Sequence, residues 1–260
     1  MKAMIFAAGL GTRLKPITDT LPKALVPVCG EPLLKHVLDR LLAAGIDDFV
    51  VNVHHFAGMI VSYLQELDDP TLRIAVSDES DRLLETGGGI LHARDLLLAG
   101  EPADGRFLVH NVDILSDLDI PGFLDAWRPG ALATLLVSER RTQRYLLFDD
   151  DMRLVGWTNI ATGEVRSPYP DLDPSKYQMF AFSGIHQLST GVFDVMESEG
   201  MGERFPIMDF YLRVCDRYPI YGKKPASLEL IDVGKLDTLA VAEDFILRQA
   251  RRNCPECPGA

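Results

Sequence analysis

The first thirty residues constrain this chain more than any other stretch. An apolar run, Ala3-Met4-Ile5-Phe6-Ala7, passes into Gly9-Leu10-Gly11-Thr12-Arg13-Leu14, and Pro16, Pro22, Lys23 and Pro27 follow. The run has the length of a buried strand, and the glycines mark the turn that leaves it. Without a Cβ at Gly9 or Gly11, backbone N–H groups there and at Thr12 can approach a bulky anion. Arg13 adds a forked cation suited to phosphate oxygens, and Lys23 adds a point charge about one loop later. The prolines stiffen the segment that carries Lys23. Two familiar phosphate loops are excluded. No Gly-x-x-x-x-Gly-Lys-Ser/Thr string occurs, and Leu14 stands where a dinucleotide fingerprint needs its third glycine. A nicotinamide-dependent oxidoreductase therefore lacks its motif.

Beyond this stretch, strand-like and helix-like runs alternate through roughly the first half, which predicts βαβ units and a mostly parallel sheet. Strands are predicted at 3–7, 49–53, 73–77, 107–110 and 131–138. Helices are predicted at 32–44, 57–67, 85–98 and from Asp119, as a cap, towards Trp127. From Arg144 the pattern changes to strands joined by turns, at 145–148, 154–158 and 178–186, around a polar, proline-rich stretch from Thr162 to Ser175. These are expected as antiparallel additions forming one wall of the site. A helix at 207–216, a strand at 218–222, a strand ending at Asp232 and a helix from Leu236 to Arg251 complete the chain. The expected fold class is α/β: a Rossmann-like, mostly parallel mixed sheet flanked by helices.

Several residues carry chemistry. Asp113, in Asn111-Val112-Asp113, and Asp232 each end a predicted strand, where open α/β sheets bind ligands. Two converging carboxylates suit a hard cation such as magnesium, which would bridge phosphate oxygens and keep some waters. Glu85-Thr86-Gly87-Gly88-Gly89 opens a helix, and its N–H groups face an anion or a flat base at the positive helix end. Phe182-Ser183-Gly184-Ile185 is a strand whose glycine permits close approach of a ligand. His54 and His55 point to opposite faces of a strand end, which suits a metal pair poorly.

Composition narrows the classes of partner. A formal net charge of -12 over 260 residues disfavours nucleic acid or an anionic membrane surface. No run of about 20 apolar residues is present, and no cleavable leader is legible. Four cysteines do not make a disulfide scaffold in a chain this long, and Cys254-Pro-Glu-Cys257 lacks the second pair that zinc would want. A cytoplasmic protein is expected, monomeric or a small homo-oligomer.

Ala-Ala-Gly-x-Gly-Thr-Arg-Leu-x-Pro-x-Thr followed by Pro-Lys-x-Leu-x-Pro-Val resembles the signature of the sugar-1-phosphate nucleotidylyltransferases. Leu83 to Ile90 most resembles that family's muramate-sugar uridylyltransferase branch, which serves cell-wall recycling. The resemblance implies a glycosyltransferase-A-like fold in a single domain over 1–260. It would have a nucleotide-binding half at 1–140, a sugar-phosphate-binding half at 141–250 and a flexible tail at 251–260. It implies a nucleoside triphosphate, UTP in that branch, and a sugar 1-phosphate, N-acetylmuramate 1-phosphate, as partners, with Mg2+ on Asp113 and Asp232. Arg13, Lys23 and Asp113 become the catalytic group. Ala8, Gly9, Gly11, Thr12, Arg13, Glu85, Thr86, Gly87 and Gly88 become the nucleotide contacts. Lys23, Asn111, Ser183 and Gly184 become the sugar-phosphate contacts. Val112 departs from the glycine many relatives carry, and Leu230 and Lys235 depart from the family's Trp-x-Asp-x-Gly-Thr. Guanylyl transfer to mannose or heptose 1-phosphates and cytidylyl transfer to phosphocholine stay open. So does a nucleotide-sugar sensor or assembly subunit that has lost catalysis.

Overall fold

The computed structural model describes residues 1–67, 69–100 and 105–253; Cys254 and Cys257 lie outside them. In chain order the strands are β1 (Lys2–Phe6), β2 (Pro27–Val28), β3 (Glu31–Pro32), β4 (Asp48–Val53), β5 (Arg73–Asp78), β6 (Arg106–Asn111), β7 (Ile114–Ser116), β8 (Ala133–Ser138), β9 (Arg144–Phe148), β10 (Leu154–Asn159), β11 (Glu164–Arg166), β12 (Gln178–Ser189), β13 (Ile220–Lys223) and β14 (Leu230–Asp232). The helices are α1 (Leu33–Ala43), α2 (Ala57–Glu66), α3 (Glu85–His92), α4 (Arg94–Leu98), α5 (Ile120–Asp125), α6 (Val192–Ser198), α7 (Ile207–Val214) and α8 (Asp237–Asn253).

The main sheet runs β11-β10-β9-β12-β6-β1-β4-β5, with β8 on β12 and β13 on β8. Strands β6, β1, β4 and β5 are parallel, whereas β12 is antiparallel to its neighbours β6, β8 and β9. This is the expected mixed sheet with antiparallel additions in its second half. The central parallel strands β1, β4 and β6 are largely buried and mostly apolar on both sides, as strands covered on both faces must be, while the edge strand β5 is partly exposed. Alternate residues go to opposite faces. Ile5, Phe49, Val51 and Leu108 pack in the core under α1 and α8, while Met4, Val50, Phe107 and Val109 pack with α3, α6 and α7.

The helix predicted over 85–98 is two helices, α3 and α4, meeting at Ala93. Helix α6 and strands β7 and β11 were too short to show a period in the sequence. Asp119 caps α5 as expected, its carboxylate accepting the Gly122 N–H at 3.1 Å. Among the described residues no helix is long and apolar enough to cross a membrane.

Candidate active site

The parallel register brings the site together. Phe6, the last residue of β1, lies opposite Asn52 in β4 and Asn111 in β6. The glycine loop, Asn52 and the Asn111–Asp113 corner therefore leave the sheet side by side at its carboxyl edge. A cleft of about 580 Å3 opens there, lined by Ala8, Gly9, Gly11, Thr12, Arg13, Lys23, Glu85, Thr86, Asn111, Asp113 and Gly234, with Asn52 and Glu79 also on its walls. That volume is in the range of small-molecule sites.

The loop is shaped by Gly11, which has φ +63, and by Thr18, whose hydroxyl donates to the Gly11 carbonyl at 2.8 Å. A Cβ on Gly11 would stand 2.8 Å from the Thr18 methyl, so that glycine is required by the fold itself. Gly9 differs: among the described residues, its chain neighbours aside, no atom lies within 4 Å of where its Cβ would be. Lys23 enters from the turn after Pro22, is largely buried, and makes an ion pair with Asp113.

Asp232 reaches the same edge through a small ribbon. Strand β14 is antiparallel to β7, Asp232 faces Ile114, and the Val233 N–H donates to the Asp113 carbonyl at 2.8 Å. The two acids are thus held on adjoining strands although 119 positions separate their numbers in the chain. A Cβ on Gly234 would lie 2.7 Å from Arg13 Nη2 and 2.7 Å from Asp232 Oδ1, so this glycine makes room for both. Asp232 Oδ1 is buried with no hydrogen-bond partner among the described residues. Arg13, Lys23, Asp113 and Asp232 accordingly converge. Val112, the departure from the family pattern, packs its side chain into the core and donates its N–H to the Phe6 carbonyl.

Other expected contacts are placed differently. Gly87 and Gly88 are buried, and both N–H groups donate to the Phe205 carbonyl, at 2.8 and 3.1 Å. A Cβ on Gly87 would meet the Phe205 ring at 2.2 Å, and one on Gly88 the Glu203 carbonyl at 2.2 Å. These glycines let the 203–205 segment lie on α3, so they do not present free donors to a nucleotide. Glu85 and Thr86 stay on the cleft wall, with Glu85 paired to Arg204 at 3.0 Å and the Thr86 hydroxyl accepting the Ile207 N–H at 2.9 Å. Ser183 is fully buried with its hydroxyl 3.3 Å from that of Ser138. Gly184, at φ +74, abuts the Asn111 amide. Among the described residues that line this cleft, none comes from β9 to β12.

Sequence reasoning missed Asn52 and Glu79. The signal was an amide inside the otherwise apolar run Phe49-Val50-Val51-Asn52-Val53, since a buried polar group needs a dedicated partner. His110 is fully buried, and burial lowers its imidazole to about 4, with Nδ1 2.8 Å from the Asn111 carbonyl. It is a neutral structural donor. Among the described residues no group of three or more His, Cys, Asp and Glu side chains is placed to hold a metal.

A family model for nucleotidyl transferase matches residues 2–146. The N-acetylmuramate α-1-phosphate uridylyltransferase of Caulobacter vibrioides is 42% identical over 147 residues, which are 54% of this chain and 59% of that protein. The protein of the same name from Neisseria meningitidis is 44% identical over 119 residues, 46% of this chain and 49% of that one. The matches thus span only about half to three-fifths of these relatives. Among solved structures, HddC from Yersinia pseudotuberculosis complexed with GMP-PN aligns with a TM-score of 0.71 at 20% identity, covering 94% of this chain and 99% of that one. At that identity the likeness is one of fold, the glycosyltransferase-A-like arrangement. With the family model matching more than half of its residues, this chain belongs to the nucleotidyl transferase family.

Proposed function

We propose that the protein joins a nucleoside triphosphate to a sugar 1-phosphate, releasing pyrophosphate and a nucleotide sugar, with UTP and N-acetylmuramate 1-phosphate as the substrates. The observation that carries this reading is the approach of Asp232, through Val233 and Gly234, to Arg13, Lys23 and Asp113, which line one cleft with the glycine loop. The two relatives' names supply the choice of substrates. A phosphate oxygen of the sugar 1-phosphate attacks the α-phosphorus. A new P–O bond forms there as the bond to the β-phosphate oxygen breaks, and pyrophosphate carries off the electron pair. A phosphate monoester is already ionised near neutral pH, so no side chain need remove a proton. The protein positions the reactants and stabilises charge. Arg13 holds the departing β- and γ-phosphates, and Lys23 neutralises charge where the reacting phosphates meet.

Asp113 and Asp232 fit a magnesium ion. Magnesium takes one or two carboxylates and fills its remaining positions from substrate phosphates and water, and the orphaned Asp232 Oδ1 is an acceptor in want of such a partner. Bound there, the ion would neutralise triphosphate charge. The reading places the protein in the cytoplasm with its triphosphate donor. Guanylyl transfer is the second reading, favoured by the GMP-PN complex of the fold neighbour.

The test incubates the protein with magnesium, each of five nucleoside triphosphates and a panel of sugar 1-phosphates, and measures pyrophosphate. Release with UTP and N-acetylmuramate 1-phosphate is the expected result. Release with GTP and a mannose or heptose 1-phosphate would establish the second reading. Nucleotide-sugar binding without release in any well would leave a sensor.

A further inference from the structure

Two buried polar side chains on the cleft wall have no part in the chemistry above. Asn52 and Glu79 are 2% and 3% exposed. The Asn52 side-chain carbonyl accepts the N–H of Ala7 at 2.8 Å and of Ala8 at 3.4 Å, the residues where β1 passes into the glycine loop. The Asn52 amide donates to Glu79 Oε1 at 2.7 Å. Glu79 Oε2 accepts the N–H of Leu84 at 3.3 Å, immediately before α3. Backbone bonds hold Glu79 in place: its N–H donates to the Val53 carbonyl at 2.8 Å, and its carbonyl lies 2.6 Å from His54 Nδ1. An unbroken chain of hydrogen bonds therefore runs from the phosphate loop, beneath the cleft, to the first turn of α3.

Gly89 admits this bridge. A Cβ there would lie 2.8 Å from Glu79 Oε1 and 3.3 Å from Asn52 Nδ2. The third glycine of Glu85-Thr86-Gly87-Gly88-Gly89 thus has a reason distinct from the first two.

The bridge is costly as a mere filler. Among the described residues no lysine or arginine pairs with Glu79, and burial pushes its carboxyl up while the Asn52 and Leu84 donors hold it down. An apolar pair of similar volume would usually stabilise such a site as well or better. What an apolar pair cannot do is grip two backbone N–H groups on one side of the cleft and a third on the other.

We infer that Asn52 and Glu79 are positioning residues that set the spacing between the phosphate loop and the start of α3, so that triphosphate and base are held together. This deepens the reading of the cleft as a nucleotide site and rests on it. The bridge acts through the loop and through Leu84, which stands next to Glu85 and Thr86 on the cleft wall.

The test is a reversal of donor and acceptor. Asn52→Asp keeps an acceptor for Ala7 and Ala8 but sets a second carboxylate oxygen against Glu79. Glu79→Gln leaves an amide where the Leu84 N–H needs an acceptor. In N52D/E79Q the new amide at position 79 can donate to the new carboxylate at position 52, and its carbonyl can turn to Leu84. Affinity for UTP with magnesium is read by calorimetry, alongside a melting curve, in the full chain. Each single variant should weaken UTP binding about tenfold or more, and the double variant should recover to within about threefold of the parent. Loss of melting temperature in the singles with unchanged UTP affinity would overturn the inference, as would a double variant that binds no better than the worse single. If the parent releases no pyrophosphate with any sugar phosphate, the transferase reading fails, yet the binding cycle still decides on the bridge. If the parent does not bind UTP, the cycle is run with whichever of ATP, CTP, GTP or dTTP it binds; binding none overturns both readings.

Discussion

At the scale of single residues, the site is defined by what neighbours leave room for. Asp113 is held between the Lys23 ammonium and the backbone tie to Val233. Asp113→Asn preserves that shape and removes one of the two charges proposed for the metal. It should lower pyrophosphate release by at least about a hundredfold, the scale of losing one well-placed electrostatic group. Circular dichroism should be unchanged, and an active, magnesium-dependent variant would remove Asp113 from its role. Gly234 offers a finer probe because its φ is ordinary and only space is at stake. The methyl of Gly234→Ala would crowd Arg13 Nη2 and Asp232 Oδ1 at 2.7 Å. The exposed Arg13 side chain can swing away at little cost to stability. The expected outcome is a rise of about tenfold in KM for the triphosphate with a melting temperature close to that of the parent.

At the scale of elements, glycines that looked alike in the sequence separate into two kinds. Gly9 has open space where a Cβ would go, whereas Gly88 has a backbone carbonyl at 2.2 Å. Gly9→Ala should leave urea stability within about 0.5 kcal/mol of the parent and weaken triphosphate binding. Gly88→Ala must push the 203–205 segment off α3 and should cost about 1–3 kcal/mol of stability, as overpacking does, measured in the same urea titration. The reverse ranking would mean that α3 presents its glycines to ligand after all. This contrast marks how far the sequence was legible. The alternation of buried runs and amphipathic faces disclosed the parallel strands, and the Gly9–Lys23 string disclosed the loop that lines the cleft, because both are written in consecutive residues. Contacts made by distant segments were not. Nothing near Gly87 or Gly88 signals that Phe205 will lie on them, and nothing near Phe182-Ser183-Gly184 signals that Gly184 will lie against the Asn111 amide. The Asp113–Asp232 approach follows from the predicted strand ends together with the family resemblance, and the β7–β14 ribbon that produces it is too short to read in advance.

For the molecule as a whole, the two cores on opposite faces of the sheet set how stability responds to acid. His186 is fully buried between β12 and α7, its Nδ1 2.6 Å from the Tyr211 hydroxyl, and burial lowers it to about 3. His110 is lowered to about 4, chiefly by burial. Both have ordinary values of 6.5 once unfolded. Between the folded and unfolded values the unfolded chain holds more protons, so stability rises with pH across that window. The contribution is complete above about pH 7 and is lost as pH falls from 6.5 towards 4 and then 3. Each histidine should contribute a slope of roughly 1.4 kcal/mol per pH unit inside its window. Glu79 works in the opposite sense, because a carboxyl raised by burial holds its proton longer when folded, so its stabilisation is lost as pH rises. Urea unfolding between pH 5 and 8 separates these effects. His186→Gln keeps an acceptor for the Tyr211 hydroxyl but has no proton to gain, so the acid-side slope should fall by about half relative to the parent. An unchanged slope would mean that His186 can be charged within the folded protein, which a side chain sealed between a strand and a helix should not allow.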